Sequence, residues 1–228
     1  MGTRRSYHDA CGAARALDVV GERWALLVVR ELLLGPKRFT DLRHGLPAVS
    51  ANILAQRLTE LEDAGVVGRR RLPPPAASAV YELTAWGAEL EEIILRLGAW
   101  GARSPLPDPN ATLSVDSLVL SFRTLFQPAR SAGLHADVQL DFADDLFHAV
   151  VDDGTLRIGR GQATTAQSTI CTTPDVLAGV VYQQHSLPEA MRDGSVRITG
   201  DQRMGRRFMT LFALPIPAPT AAELSAGR

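Results

Sequence analysis

The chain has 228 residues, 46% of them hydrophobic, with a formal net charge of -1 and two cysteines. That length and apolar content suffice for one large or two small domains with a buried core. No apolar run approaches the ~20 residues that cross a bilayer, and the N-terminus has no continuous apolar signal segment, so the sequence predicts a cytoplasmic protein outside membranes. Cys11 and Cys171 fit neither metal-ligand spacing nor a disulfide scaffold.

A proline-rich segment divides the chain. Residues 103–113, RSPLPDPNATL, contain Pro105, Pro107 and Pro109, which cannot continue a helix and favour an extended spacer. Residues 1–104 carry 14 Lys and Arg against 12 Asp and Glu, and residues 105–228 carry 10 against 13. The sequence therefore predicts a slightly basic domain over residues 1–104 and an acidic one over residues 105–228.

Two helices are predicted early in the first domain. The stretch WALLVVRELLLGP indicates a core helix that Gly35 ends and Pro36 follows. The next stretch, RFTDLRHGLP, predicts a short helix with Thr40 as its N-cap and Gly45 near its end.

The stretch PAVSANILAQRLTELEDAGVV predicts a third helix over residues 51–64. Ser50 is its expected N-cap, and Gly65 its expected stop. Leu54, Leu58 and Leu61 recur at i, i+4 and i+7, which is the spacing of a buried stripe. Val49 and Leu54 occupy the positions of a hydrophobic staple.

The outer face of this helix changes character along its length. Asn52, Gln56 and Arg57 lie in the early turns, and the acidic residues gather in the last turn. A helix that enters the DNA major groove N-terminus first requires this order, because amides and arginine bind base edges while carboxylates stay away from phosphates. An ordinary solvated helix has the same composition, so both interpretations stay open here.

A basic hairpin is predicted directly after that helix. The stretch VVGRRRLPPPAASAVYELT indicates a strand, a proline-rich loop and a returning strand, with Arg69, Arg70 and Arg71 on the first strand. Adjacent residues of a strand point to opposite faces, so the three arginines cannot all face DNA. In the alternative interpretation, one or two of them only keep an edge strand soluble. The order of elements is that of a winged helix-turn-helix.

Residues 10–102 resemble the HxlR family of bacterial winged-helix transcription regulators. The resemblance is carried by Gly21 and Trp24, the turn over residues 35–39, Leu42, Leu46, Pro47, Ser50, Leu54, Arg57, Leu58, Leu61, Gly65 and the Tyr81-x-Leu-Thr ending. It implies a homodimer on double-stranded operator DNA, with residues 50–62 in the groove and the wing, residues 67–81, on the backbone. The predicted DNA contacts are Arg38, Ser50, Asn52, Gln56, Arg57, Arg69, Arg70 and Arg71. The wing tip PPPAASA departs from the family by being longer and less charged.

Cys11 matches the family's N-terminal cysteine, which senses oxidants or electrophiles in some relatives. Its small apolar neighbours favour instead a packed, inert thiol, since free cysteine is among the most buried residue types. Arg15, one turn away, is the nearby charge that would depress the thiol pKa. The sequence thus favours the inert thiol and keeps a redox role as the alternative.

An apolar stripe follows Thr84, which is a predicted N-cap. Its members recur at alternating spacings of four and three, as in a coiled coil: Trp86, Leu90, Ile93, Leu97 and Trp100. This pattern predicts a seam between two subunits. Packing of the stripe on its own domain is the alternative.

Residues 112–215 resemble a sterol-carrier-like (SCP2-like) domain through the DDGTL turn, the TPDVL helix start and the RITGD turn. The predicted fold is therefore a mostly α winged helix-turn-helix domain plus an α+β SCP2-like domain, which the resemblance gives an apolar tunnel and no catalytic residues. His135, His148 and His185 are too dispersed for a metal site, and no nucleophile set or nucleotide loop is spaced for catalysis. No enzyme activity, cofactor or metal is expected. Leu118, Phe122, Phe126, Phe142 and Phe147 are predicted to line a pocket, with plain core as the alternative.

These features favour a homodimeric transcription regulator whose second domain binds a small apolar effector or helps the two chains to dimerise. The acidic second domain is expected to be a poor contact for DNA and hence a sensor. The alternative is a lipid carrier or sequestering protein whose winged helix mediates protein contacts, and a weaker one is an accessory domain of an enzyme.

Overall fold

The computed structural model describes residues 6–73, 78–105, 113–182 and 184–220. The chain forms two compact units, Met1–Ile94 and Leu95–Arg228. The domain boundary at residue 104 stays a prediction, because Pro107 and Pro109 of the predicted spacer lie outside the described residues. No described helix is long and apolar enough to cross a membrane.

The first unit is mainly helical and has one hairpin. Its elements are α1 (Gly12–Val20), α2 (Ala25–Leu32), α3 (Phe39–Gly45), α4 (Ala51–Asp63), β1 (Val67–Arg71), β2 (Ala79–Leu83), α5 (Ala85–Ala88) and the start of α6 (Leu90–Gly101). Strands β1 and β2 are antiparallel, with Val67 opposite Leu83 and Arg71 opposite Ala79. This is the predicted order of a winged helix-turn-helix.

The core of the first unit is formed by the apolar stripes of α2, α3 and α4. Val28 and Leu42 are fully buried, as are Leu54, Leu58 and Leu61 on α4. Burial of one such side chain contributes roughly 1.5–3 kcal/mol. The stripe predicted for α4 is therefore confirmed, and it fixes which side of this helix faces outward.

The predicted stop of α4 at Gly65 is confirmed, α2 ends at Leu32 before the predicted Gly35, and the predicted N-cap of α3 is wrong. Gly35 and Gly65 both have positive φ, 127° and 74°, which glycine adopts without steric cost. Helix α3 begins one residue before Thr40. Its N-cap is Arg38, whose backbone N–H donates to Asp41 Oδ2 at 2.9 Å, so the carboxylate caps the helix in place of the threonine hydroxyl.

The second unit is an α+β layer structure. It contains the end of α6, α7 (Val115–Leu125), a 3-10 turn (Pro128–Ser131), β3 (His135–Asp141), β4 (Leu146–Asp152), β5 (Thr155–Arg160), β6 (Ser168–Thr172), α8 (Pro174–Val181), α9 (Leu187–Arg192), β7 (Val196–Gly200) and α10 (Gln202–Met209). The sheet order is β5-β4-β3-β6-β7. Strands β3 and β6 are parallel, and the other neighbours are antiparallel.

The three sequence signals of this unit fall where predicted. Asp153 and Gly154, with φ of 37° and 90°, form the two-residue turn between β4 and β5; the positive φ at both positions matches a type I′ hairpin turn. The Thr173 hydroxyl caps α8 through the Val176 amide, and the Asp201 carboxylate caps α10. The α+β prediction for this part of the chain is therefore confirmed.

Candidate nucleic-acid interface

Helix α4 presents amide side chains on the side opposite its leucine stripe. Ser50 Oγ accepts a hydrogen bond from the Ile53 amide at 3.3 Å, which confirms the predicted N-cap. Asn52, Gln56 and Thr59 are all exposed. These side chains donate and accept hydrogen bonds, so the open face of α4 carries the chemistry that base edges require.

Arg57 does not belong to this open face, and its prediction as a DNA contact is wrong. Its side chain is only 8% exposed. The guanidinium forms an ion pair with Glu60 and lies 3.8 Å from Glu22 Oε2. Position 57 precedes Leu58 on the helix and turns toward the core, so the arginine stem packs inside while its charge is neutralised locally.

Glu60 connects the buried arginine to the exposed amide. One Glu60 oxygen pairs with Arg57, and the other accepts from Gln56 Nε2 at 2.9 Å. The sequence had indicated that acidic residues stay away from the amide side chains of this face. The structure differs, because the Glu60 carboxylate lies next to Gln56. The carboxylate instead orients the Gln56 amide, and that amide has to exchange this bond if it is to contact a base.

The three arginines of the hairpin differ in the side chains that they contact. The Arg69 guanidinium lies 5.6 Å from the centre of the Tyr81 ring. Arg70 Nε donates to Glu82 Oε2 at 2.6 Å, and both side chains are partly exposed, at 45% and 36%. Arg71 is also exposed. The surface is basic, but Glu82 offsets part of the Arg70 charge; residues 74–77 of the predicted wing tip lie outside the described residues.

A buried carboxylate that sequence reasoning missed holds the start of α3 near the hairpin. Glu31 is fully buried, and Lys37 Nζ donates to its Oε2 at 2.7 Å. The Lys37 amide donates to the Tyr81 carbonyl at 2.9 Å, and the Tyr81 amide donates back at 2.8 Å. A Cβ at Gly45 would meet Glu31 Oε2 at 2.1 Å. Glu31 thus joins α2, α3 and β2; the available signal was an acidic residue in an otherwise apolar helix.

Further basic side chains border this region. Arg38 and Arg43 on either end of α3 are exposed, and only Arg38 was predicted. In a helix-turn-helix the helix before the recognition helix crosses the DNA backbone. The position of Arg43 on α3 therefore makes it an additional candidate phosphate contact.

The predicted dimer stripe is mostly solvent-exposed in the single chain. The exposed fractions are 52% for Trp86, 56% for Ile93, 47% for Leu97 and 75% for Trp100. Leu90 differs, because it is partly buried and packs against the core of the first unit. Leu90 therefore packs in part on its own unit, its role in a dimer seam stays a prediction, and the other four form an exposed apolar stripe.

Cys11 is exposed at the N-cap position of α1. The favoured prediction of a packed thiol is therefore wrong. Its neighbours Ala10, Gly12 and Ala13 are themselves exposed and Ala14 is only partly buried, so they provide no core for the thiol to enter. The redox role stays a prediction.

Most residues predicted to line a pocket are fully buried in the second unit. Leu118, Phe122 and Phe147 are 0% exposed. They therefore contact neither bulk solvent nor an internal cavity large enough for a water molecule. The Phe122 ring stacks on Phe212 with centroids 4.5 Å apart. These three positions are corrected to plain core. Phe126 is half-buried and Phe142 is 8% exposed.

One polar pair lies among the apolar residues of this unit. The Tyr182 hydroxyl and Ser121 Oγ are 2.5 Å apart and join α7 to the end of α8. Burial raises the pKa of Tyr182 to about 12, although the hydrogen bond with Ser121 opposes the shift. Tyr182 is therefore a neutral hydrogen-bonding group at any physiological pH.

Comparisons with known proteins match two separate parts of the chain. The model of the HxlR-like helix-turn-helix family matches residues 19–107, and that of the SCP-2 sterol transfer family matches residues 123–213. The HTH-type transcriptional regulator YodB of Bacillus subtilis (strain 168) is 36% identical over 85 residues, which are 37% of this chain and 76% of YodB. The uncharacterized HTH-type transcriptional regulator YvaP of the same organism is 37% identical over 86 residues, 38% of this chain and 80% of YvaP. A solved structure of the reduced form of YodB from B. subtilis is 33% identical and covers 44% of this chain and 99% of its own, with a TM-score of 0.38.

Proposed function

Because the chain belongs to the HxlR-like helix-turn-helix family, we propose that it is a transcription regulator that binds double-stranded operator DNA as a homodimer. The relatives are named as transcriptional regulators rather than enzymes. The observation that carries the proposal is the exposed pair Asn52 and Gln56 on α4, next to a hairpin with exposed Arg69, Arg70 and Arg71.

The division of labour follows from the side chains. Asn52 and Gln56 recognise base edges, since an amide both donates and accepts. Arg69, Arg70, Arg71 and Arg38 bind phosphates, which supplies affinity without sequence preference. Arg57 takes no direct part; it holds Glu60, and Glu60 holds Gln56.

The homodimer proposal is supported by the exposed stripe of Trp86, Ile93, Leu97 and Trp100. Isolated exposed apolar residues are ordinary, but a row of large ones on consecutive helical turns is typical of an interaction surface. Ile93, Leu97 and Trp100 follow the i, i+4, i+7 spacing of one helix face. A two-fold pair of chains would place two copies of α4 on half-sites one DNA turn apart, roughly 34–36 Å.

The match to the SCP-2 sterol transfer family supports a small apolar effector for the second unit. Leu118, Phe122 and Phe147 are fully buried, so an effector would reach these three positions only by displacing side chains that now fill the core. Such a ligand would raise the thermal midpoint of the protein with its concentration, as any ligand specific to the folded state does. Solvent extraction of the purified protein followed by mass spectrometry tests for a bound compound.

Operator binding is tested by selecting fragments of the source genome with the purified full-length protein. Enrichment of fragments that share an inverted repeat supports the proposal. A protein that carries lipid and enriches no fragment would instead favour a carrier whose helix-turn-helix binds other proteins. An enriched single half-site, with a monomer in light scattering, would contradict the homodimer alone.

A further inference from the structure

Helix α10 places three arginines on one exposed face. Phe208 and Met209 on its other side are buried, whereas Arg203, Arg206 and Arg207 are exposed. At spacings of three and four residues these side chains are neighbours on the helix surface. The second unit therefore has a compact cationic face, even though residues 105–228 contain more acidic than basic residues.

A fourth arginine is anchored at the end of the same helix. Arg130 Nη1 donates to the Thr210 carbonyl at 3.0 Å and to the Phe212 carbonyl at 3.3 Å. Arg207 Nη2 donates to the Arg130 carbonyl at 2.6 Å. These bonds hold Arg130 and Arg207 in place, and the four residues Arg130, Arg203, Arg206 and Arg207 are called the α10 arginine face.

Helix stability does not account for the position of Arg203 in this arrangement. Arg206 and Arg207 in the last turn are favourable toward the negative end of the helix dipole, but Arg203 lies in the first turn, where a positive charge is unfavourable. Arg203 also faces like charges at i+3 and i+4, which destabilise a helix. Throughout the described ranges no carboxylate forms an ion pair with Arg203, Arg206 or Arg207. The Asp201 carboxylate accepts from the backbone amides of Arg203 and Met204 instead.

The side chains of the α10 arginine face are better suited to binding a rigid polyanion than to binding a lipid bilayer. An amphipathic helix that binds a membrane inserts its apolar side among the lipids. All of α10 is described, and its large apolar side chains Phe208 and Met209 are buried within the protein. Guanidinium groups bind phosphate oxygens through paired hydrogen bonds, and DNA presents phosphates in a closely spaced row.

We propose that the α10 arginine face is a second, sequence-independent contact with the DNA phosphate backbone, outside the bases recognised by α4. It rests on the proposed operator binding and adds a role for the second unit. The overall acidity of residues 105–228 does not oppose this contact, because a local cluster rather than the net charge determines phosphate binding. The face would add affinity to DNA that flanks the operator.

The test compares the full-length wild type with the double variant Arg203→Gln/Arg206→Gln. Both positions are exposed, and glutamine keeps the helix propensity, so the thermal midpoint is measured to confirm the fold. The matched control is Arg157→Gln/Arg192→Gln, which removes two exposed arginines of β5 and α9 from the same unit. Each protein is titrated over a salt series onto the operator with long random flanks and onto the operator trimmed to its footprint.

The variant should have a weaker salt dependence on the flanked operator, by up to about 1.8 in the log–log slope per bound subunit, since each phosphate contributes about 0.9. Between about 50 and 200 mM salt this changes the wild-type to variant affinity ratio by up to about 12-fold per subunit. The control should keep the wild-type slope, and all three proteins should agree on the trimmed operator.

Three results would overturn the inference. The first is an equal salt-dependence slope for the variant and the wild type on flanked DNA. The second is a reduction of that slope in the control as large as in the variant. The third is a loss of binding to phosphatidylserine vesicles by the variant while its DNA binding stays intact. Failure of the wild type to select any genomic fragment is a different result, since it contradicts the proposed function and the inference with it.

Discussion

Replacement of Arg57 by methionine separates an internal structural role from a DNA contact. The Arg57 side chain is 8% exposed, and its partners Glu60 and Glu22 are 43% and 56% exposed. Pairs with carboxylates so open to water contribute about 0.2–1 kcal/mol each. Arg57 Nε is buried without a hydrogen-bond partner, which costs about 1–3 kcal/mol. Methionine keeps the apolar contacts of the stem, so the free energy of unfolding should change by less than about 1 kcal/mol.

The same variant should leave the salt dependence of operator binding unchanged, because no phosphate contact is removed. Loss of a phosphate contact would lower the log–log slope by about 0.9. Glu60, no longer held by Arg57, would orient Gln56 less well, so the preference for operator over random DNA should fall by up to about tenfold, within the ~1–3 kcal/mol that one good base contact supplies.

The assay is a salt titration of operator and random DNA by fluorescence anisotropy, with urea unfolding in parallel. The comparison variant is Arg70→Met, since the Arg70 side chain is 45% exposed and should lose slope on both DNAs alike. A slope reduction of about 0.9 for Arg57→Met with unchanged stability would refute the buried, positioning role of Arg57.

Three more substitutions probe other parts of the structure. Asn52→Ala should weaken operator binding by about 1–3 kcal/mol and leave random DNA unaffected; equal losses in anisotropy titrations would contradict base recognition. Ile93→Asp should give monomers by light scattering, because it places a charge in the proposed seam, and an unaltered dimer would exclude that stripe. Glu31→Gln should lower the free energy of unfolding by about 3 kcal/mol, since it removes the buried negative charge that pairs with both Arg30 and Lys37. A loss below about 1 kcal/mol in urea unfolding would show that the Glu31–Lys37 pair does not stabilise the fold.

Local signals predicted much of the fold because they act over a few residues. The stripe of Leu54, Leu58 and Leu61, the Ser50 cap and the positive φ at Gly65 each depend on neighbours within about one or two helical turns. The two-residue turn at Asp153 and Gly154 is equally local. Such elements fall in the structure where the sequence places them.

Contacts between distant segments account for several of the errors, whereas the error in the N-cap of α3 was local. Arg57 was assigned outward because its own helix cannot reveal that Glu22, far back in the chain, lies beside its guanidinium. Glu31 was unremarkable until Lys37 and the close approach of Gly45 enclosed its carboxylate. The apolar residues of the α6 stripe recur with the predicted period, but the period alone does not show that Leu90 packs against the core of the first unit. The spacing of apolar residues predicts which face of a helix is apolar, but it does not predict which segment packs against that face.

The most direct measurement of the central claim is the selection of genomic fragments by the purified full-length protein, repeated with the double variant Asn52→Ala/Gln56→Ala. The account predicts that the wild type enriches a small set of fragments sharing an inverted repeat with half-sites one helical turn apart, and that the variant loses this enrichment while retaining salt-dependent binding to random DNA. If the wild type enriches no fragment, or the variant enriches the same set equally well, operator recognition through α4 is contradicted.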